Sequence, residues 1–138
     1  MISKSERAYF NAARDISKLS DHRQQLGCVV VNNHHIISSG HNSATKCHRI
    51  QAQLDKQFFG DECCLGPIHA ELDALRPLIK SKADLTTSTI YVYREHRNGG
   101  TAMARPCPRC FQLIKSCGIK KIKYTTEEGF ASESIERT

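Results

Sequence analysis

Apolar residues recur along this chain with two periods, and the alternation between them outlines a mixed fold. Tyr9, Ala12, Ile16 and Leu19 follow one another at steps of three and four, the spacing of one buried helical stripe. Ser3-Lys4-Ser5-Glu6 ahead of them reads as a capping box, so a first helix is expected to about Ser20. Residues 26–31 and 35–39 are β-branched runs separated by Asn32-Asn33, which tolerate left-handed backbone; the pattern predicts an antiparallel hairpin. Gly40-His41-Asn42 is then expected to leave the sheet. The polar stretch 43–66 has no clear period, although 50–59 fits a short helix.

Pro67 suits the first turn of a helix reaching about Lys80, with Leu72, Leu75 and Ile79 as its buried stripe. A strand at 88–93 follows, then a loop holding Asn98-Gly99-Gly100. Pro106 and Pro108 open another helix, Gly118 stops it, and Ile122 and Tyr124 alternate with lysines in a strand at 120–125. Strand, helix and strand joined by a crossover imply parallel pairing of those two strands. The whole pattern predicts an α/β domain of three layers, helices on both faces of a sheet. At 138 residues it should form a single domain spanning 1–138.

The chemistry concentrates in His69-Ala70-Glu71 and Pro106-Cys107-Pro108-Arg109-Cys110. One imidazole and two thiolates suit zinc, which takes nitrogen and sulfur donors tetrahedrally and keeps a fourth position for water in catalytic sites. Cys107 and Cys110, three apart on a helix, face one way. His69 and Glu71 begin the other helix, so two positive helix ends should meet at the metal and stabilise the sulfurs as thiolates. Glu71 can then carry protons between a metal-activated water and a leaving group, which is hydrolytic chemistry.

These residues resemble the zinc-dependent cytidine and deoxycytidylate deaminase superfamily, with its H-x-E and P-C-x-x-C signature, over about residues 20–126. The resemblance implies a cytidine deaminase-like α/β/α fold with a mixed sheet of four to five strands. It implies one catalytic Zn²⁺ on His69, Cys107 and Cys110, with Glu71 as the proton carrier. It also implies substrate contacts from Asn42 and from the Ala70 amide, and self-association into a homo-oligomer. Only residues 127–138 remain where relatives usually carry a further helix and often a fifth strand, so the sheet is expected to be one strand short. Some deoxycytidylate deaminases carry an additional structural zinc. Cys47-His48 and Cys63-Cys64 are the residues from which one could be built here, although ordinary packing explains them more simply.

Charge and composition narrow the substrate. The formal net charge is +6 and the pI near 9.0, which favours an anionic partner. Lys46, His48 and Arg49 on one segment, with Arg94, Arg97 and Arg105 on another, could grip a nucleotide phosphate or follow a nucleic-acid backbone. Yet the chain has no Trp, and its 94–105 loop has no aromatic on which a base could stack. Bacterial tRNA adenosine deaminases usually place Glu before the Pro-Cys pair and Met between the cysteines, whereas this chain has Arg105 and Pro108. The stretch from Ser116 to Tyr124 also resembles the deoxycytidylate branch, so the preferred substrate is cytosine in a nucleotide or nucleoside, dCMP first, with uracil and ammonia as products. Deamination of tRNA or single-stranded nucleic acid is the alternative. A noncatalytic zinc-stabilised binding domain, with Cys64 as fourth ligand, is another, but it leaves Glu71 unexplained. Seven cysteines, an odd number, and the lack of any apolar leader or membrane-length run point to the cytoplasm.

Overall fold

The computed structural model describes residues 2–59 and 68–135. Helix α1 (Lys4–Ser17) starts at Ser3, whose Oγ accepts the Glu6 amide while Glu6 Oε1 accepts the Ser3 amide, both at 3.1 Å. It ends three residues before Ser20, and its buried face is Phe10, Ala13 and Ser17 rather than the expected stripe; Leu19 is 66% exposed. The cause lies in the first strand. A Cβ on Gly27 would stand 2.0 Å from the Ala13 carbonyl oxygen and 2.6 Å from the Ser17 nitrogen, so the helix rests on bare backbone. Small residues make that approach possible, and the bulkier Tyr9 and Ile16 are left on its flank.

Strands β1 (Leu26–Asn32) and β2 (His35–His41) form the expected hairpin. Its turn comes one residue later than expected: Asn33 and His34 carry φ of +51° and +67°, while Asn32 pairs with His35. Positive φ at both central residues is what a tight turn between twisted strands requires. Gly40 and His41 stay in the sheet, opposite Cys28 and Gly27, instead of leaving it. Gly40 is held there by close packing, since a Cβ would lie 2.3 Å from the Ala74 nitrogen and 2.7 Å from the Ala70 carbonyl.

The chain continues through α2 (Arg49–Phe59), α3 (Ala70–Lys80), β3 (Thr89–Arg94), α4 (Pro108–Ser116), β4 (Lys121–Thr126) and β5 (Gly129–Ser134). Pro67, expected to open α3, lies outside the described residues. The strand order is β2-β1-β3-β4-β5, with β3 and β4 parallel across α4 and the other neighbours antiparallel. The fifth strand corrects the expectation of a shortened sheet. No helix is needed to reach it, because Glu127 and Glu128 turn the chain directly and Gly129, at φ +137°, pairs with Thr126.

Side chains alternate across the sheet as strand geometry demands. Cys28, Val30, Ile90, Val92 and Ile122 meet Leu72 and Leu75 of α3 and Leu113 and Ile114 of α4. Val29, Val31, Tyr91 and Tyr93 meet Phe10 and Ala13 of α1 on the opposite face. The result is the three-layer α/β/α arrangement of a cytidine deaminase-like fold. Among the described residues, no helix is long and apolar enough to cross a membrane.

Candidate active site

Helices α3 and α4 lie on the same face and begin beside one another. His69 is the N-cap of α3 and Cys107 the N-cap of α4, each with extended backbone and neither using its side chain to cap. Pro108 follows in the first turn of α4, where the missing N–H costs no helical bond. Placing His69 and Cys107 at the caps frees both side chains to reach past the helix ends, and Cys110 joins them from the first turn of α4. His69 Nδ1 lies 3.2 Å from Cys110 Sγ and 3.7 Å from Cys107 Sγ. The three donor atoms all fall within 4.8 Å of one another, the one such group found among the described residues.

Glu71 is 3% exposed yet lines the cleft beside these donors. Burial raises its pKa, opposed by the positive charge of His69 and by its own backbone amide. A carboxyl group with a raised pKa binds a proton more tightly than an ordinary carboxylate, which suits a group that must accept one and pass it on. The hydrogen bond from Cys110 brings Cys107 down to about 3 against the effect of burial, while Cys110, by the same bond and its burial, is raised well above the ordinary thiol value. Burial lowers the His69 pKa, but its bond to Cys107 and the charge of Glu71 outweigh this, so the net shift is upward.

Residues 3–126 match the family defined by the cytidine and deoxycytidylate deaminase zinc-binding region. The chain belongs to this family of zinc-dependent deaminases. Among solved structures, it is similar to the dCMP deaminase of the cyanophage S-TIM5 in apo form, with 26% identity, a TM-score of 0.62, and 91% of this chain and 86% of that one covered. The same phage enzyme in complex with dCMP and dUMP aligns at 24% identity with a TM-score of 0.62, covering 91% of this chain and 84% of that one. A cytidine deaminase from Burkholderia pseudomallei shares the fold at 16% identity and a TM-score of 0.63, with 96% and 93% coverage. No curated protein sequence matches the chain.

The donor set of this deaminase fits zinc. Bond lengths of about 2.0–2.1 Å to nitrogen and about 2.3 Å to sulfur put tetrahedral donors roughly 3.6 Å apart, and the spacings here are 3.2 and 3.7 Å. The additional site considered around Cys47 is not assembled among the described residues. Cys47 is exposed with its Sγ 3.7 Å from the Thr45 carbonyl, and Cys63 and Cys64 lie outside those residues.

A cleft of about 290 Å³ opens at this point, bounded by Asn42, Ser43, Ala70, Arg94 and Arg105 as well as the metal-site residues. Of the cations expected near a substrate, only Arg94 and Arg105 line it. Lys46 and His48 border a separate groove with Arg76 and Lys80, Arg97 sits beside Lys18 and Arg23, and Arg49 is exposed at the start of α2. Asn42 reaches the cleft, but its amide is engaged: Oδ1 accepts the Leu26 N–H at 2.9 Å and lies 2.7 Å from Ser20 Oγ, and Nδ2 donates to the Gln24 carbonyl at 2.7 Å. It therefore shapes the wall formed by residues 20–26.

His22, Gln24 and Leu26 also line the cleft, and sequence reasoning does not reach them, whereas Met103 lines it from within the 94–105 loop expected near the substrate. The only signal for them is the run of turn-forming residues at Ser20-Asp21-His22, which does not reveal what the turn faces. Gln51 is likewise hidden. Fully buried on α2, it accepts the His69 amide on Oε1 at 3.2 Å, while Ile68 before it is fixed by backbone bonds to Ser43 and Lys46.

Proposed function

We propose that this enzyme hydrolytically deaminates cytosine in a nucleotide or nucleoside, with dCMP converted to dUMP as the preferred reaction. The observation that carries this reading is the burial of Glu71 beside one imidazole and two sulfurs at the floor of an open cleft. When held by His69, Cys107 and Cys110, zinc supplies a Lewis acid that makes water nucleophilic near neutral pH. Glu71 is placed to take a proton from the attacking water and pass it to the ring nitrogen next to the amine-bearing carbon. It then carries the second proton to the departing amine. One water is consumed, ammonia leaves and a carbonyl replaces the amine.

The Ala70 amide precedes the first intrahelical bond of α3, Asp73 N–H to the His69 carbonyl, and so remains available to a base carbonyl. Asn42 uses one Nδ2 hydrogen on Gln24 and offers the other to the substrate. Arg94 and Arg105, at the rim, are positioned for a phosphate. Similarity to a dCMP deaminase at 26% identity supports the nucleotide. Against a polynucleotide, Lys46, His48, Arg49 and Arg97 are spread over separate surfaces rather than forming one track. Residues 1–138 would act as one cytoplasmic catalytic domain.

A homo-oligomer is also part of this proposal, supported by edge strand β2, where Ile36 and Ile37 are 44% and 39% exposed. Light scattering showing a monomer at micromolar concentration would remove that part. The reaction itself is tested by measuring ammonia released from dCMP, deoxycytidine, cytidine, adenosine, guanine, single-stranded DNA and tRNA by zinc-loaded protein. Release from dCMP and deoxycytidine is expected. Release confined to adenosine, guanine or nucleic acid would overturn the substrate assignment.

A further inference from the structure

Arg105 reaches the cleft in the company of a carboxylate that lies beyond the family-matched segment. Its Nε and Nη2 donate to the two oxygens of Glu133 at 2.7 and 3.2 Å, and its guanidinium stands 5.1 Å from the centre of the Phe111 ring. Tyr124 donates its hydroxyl to Glu133 Oε2 at 2.8 Å. Glu133 belongs to β5, whereas the family match ends at residue 126. The ion pair is half open to water, at 48% and 32% side-chain exposure, so an incoming anion can reach it.

We propose that Glu133 determines substrate specificity by holding a counter-charge on Arg105 and so weakening the pull of the cleft on a substrate 5′-phosphate. This rests on the proposed deamination of a cytosine nucleotide or nucleoside. A forked ion pair fixes the guanidinium plane and cancels most of its field. A nucleotide phosphate must share Arg105 with a carboxylate that repels it, while a nucleoside brings no phosphate charge for that carboxylate to oppose. Phe111 keeps the guanidinium in place by stacking, so removing the charge of Glu133 does not release Arg105. Strand β5 thus tunes discrimination between phosphorylated and unphosphorylated forms of one base.

The test measures the affinities of dCMP and deoxycytidine by calorimetry on zinc-loaded Glu71→Gln protein, in which turnover does not interfere. Adding Glu133→Gln, which keeps a hydrogen-bond acceptor, is expected to raise the dCMP preference about two- to five-fold, the scale of one exposed charge interaction. The gain should shrink at high salt. Arg105→Gln is expected to reduce the preference, and Glu133→Gln should then have no further effect. An unchanged or lowered preference in Glu133→Gln, or an effect that persists without Arg105, overturns the proposal. So does failure of both ligands to bind. If binding shifts as stated but the native protein releases no ammonia, the reaction assignment fails and this role of Glu133 stands. If the native protein deaminates dCMP while Glu133→Gln leaves the preference unmoved, the role of Glu133 fails and the reaction stands.

Discussion

At the scale of single residues, the site depends on which side chains sit at the helix caps. His69 and Cys107 occupy positions where a serine or aspartate would ordinarily bond the first-turn amides, and both forgo that role. Glu71 is buried beside them and is the group in the cleft assigned to proton transfer. Replacing it with Gln should lower kcat by at least about 100-fold while zinc content, read by atomic absorption, stays near one per chain. Retained turnover would end the assigned role of Glu71. His69, Glu71, Cys107 and Cys110 are legible in the sequence because their chemistry is rare and their spacing specific. Gln51 is not, since a glutamine on a polar helix reads as solvated until the amide it serves is known. The engagement of Asn42 with Leu26 and Gln24 is hidden for the same reason: both are contacts across distant segments.

At the scale of elements, periodicity and the proline and glycine boundary signals anticipate the described helices and strands except β5, α2 only as a helix that its aperiodic stretch could hold, and they misjudge the contacts where backbone meets backbone. Bulky residues suggest one stripe on α1, yet Gly27 admits Ala13 and Ser17 instead. Hydropathy weighs side-chain size, whereas this interface depends on the lack of it. Gly27→Ala should therefore cost about 1–3 kcal/mol or more in urea unfolding, because the obstruction is backbone that cannot rotate away. An unchanged midpoint would show that α1 can lift from β1 without loss. Strand β5 is hard to read because its residues 129–134 mix polar and small side chains, and its inner edge is satisfied by pairing with β4.

Across the whole molecule, distant parts of the chain are tied by side chains as well as by the core. Lys123 of β4 bonds Glu6 of α1, so the outer helix is clamped to the sheet beyond β3. That bond, together with the Ser3 amide, lowers the Glu6 pKa below its ordinary 4.5 despite partial burial. A depressed folded-state pKa gives stabilisation that is complete above about pH 4.5 and fades as the pH falls through the lower folded value. Glu6→Gln, which keeps the cap acceptor, should lose on the order of 1 kcal/mol or less at pH 7 and converge with the native protein as the pH falls through the lowered folded value. Parallel urea curves across that range decide it; a constant gap would assign the effect to something other than charge. The overall architecture is legible because two periods and two chemical motifs agree on it, while the separation of Lys46 and Arg97 from the cleft depends on loop paths that no periodicity encodes.

Gly40 sets a boundary on how this enzyme can be redesigned. The start of α3 rests on the sheet with a single hydrogen atom between them, and that helix start carries Ala70 and Glu71. Any larger group at position 40 would lift the reaction floor together with the helix, shifting the proton carrier relative to the sulfurs of α4. Changes of substrate must therefore enter through the walls, at residues 20–26 and 94–105, while the floor stays as it is.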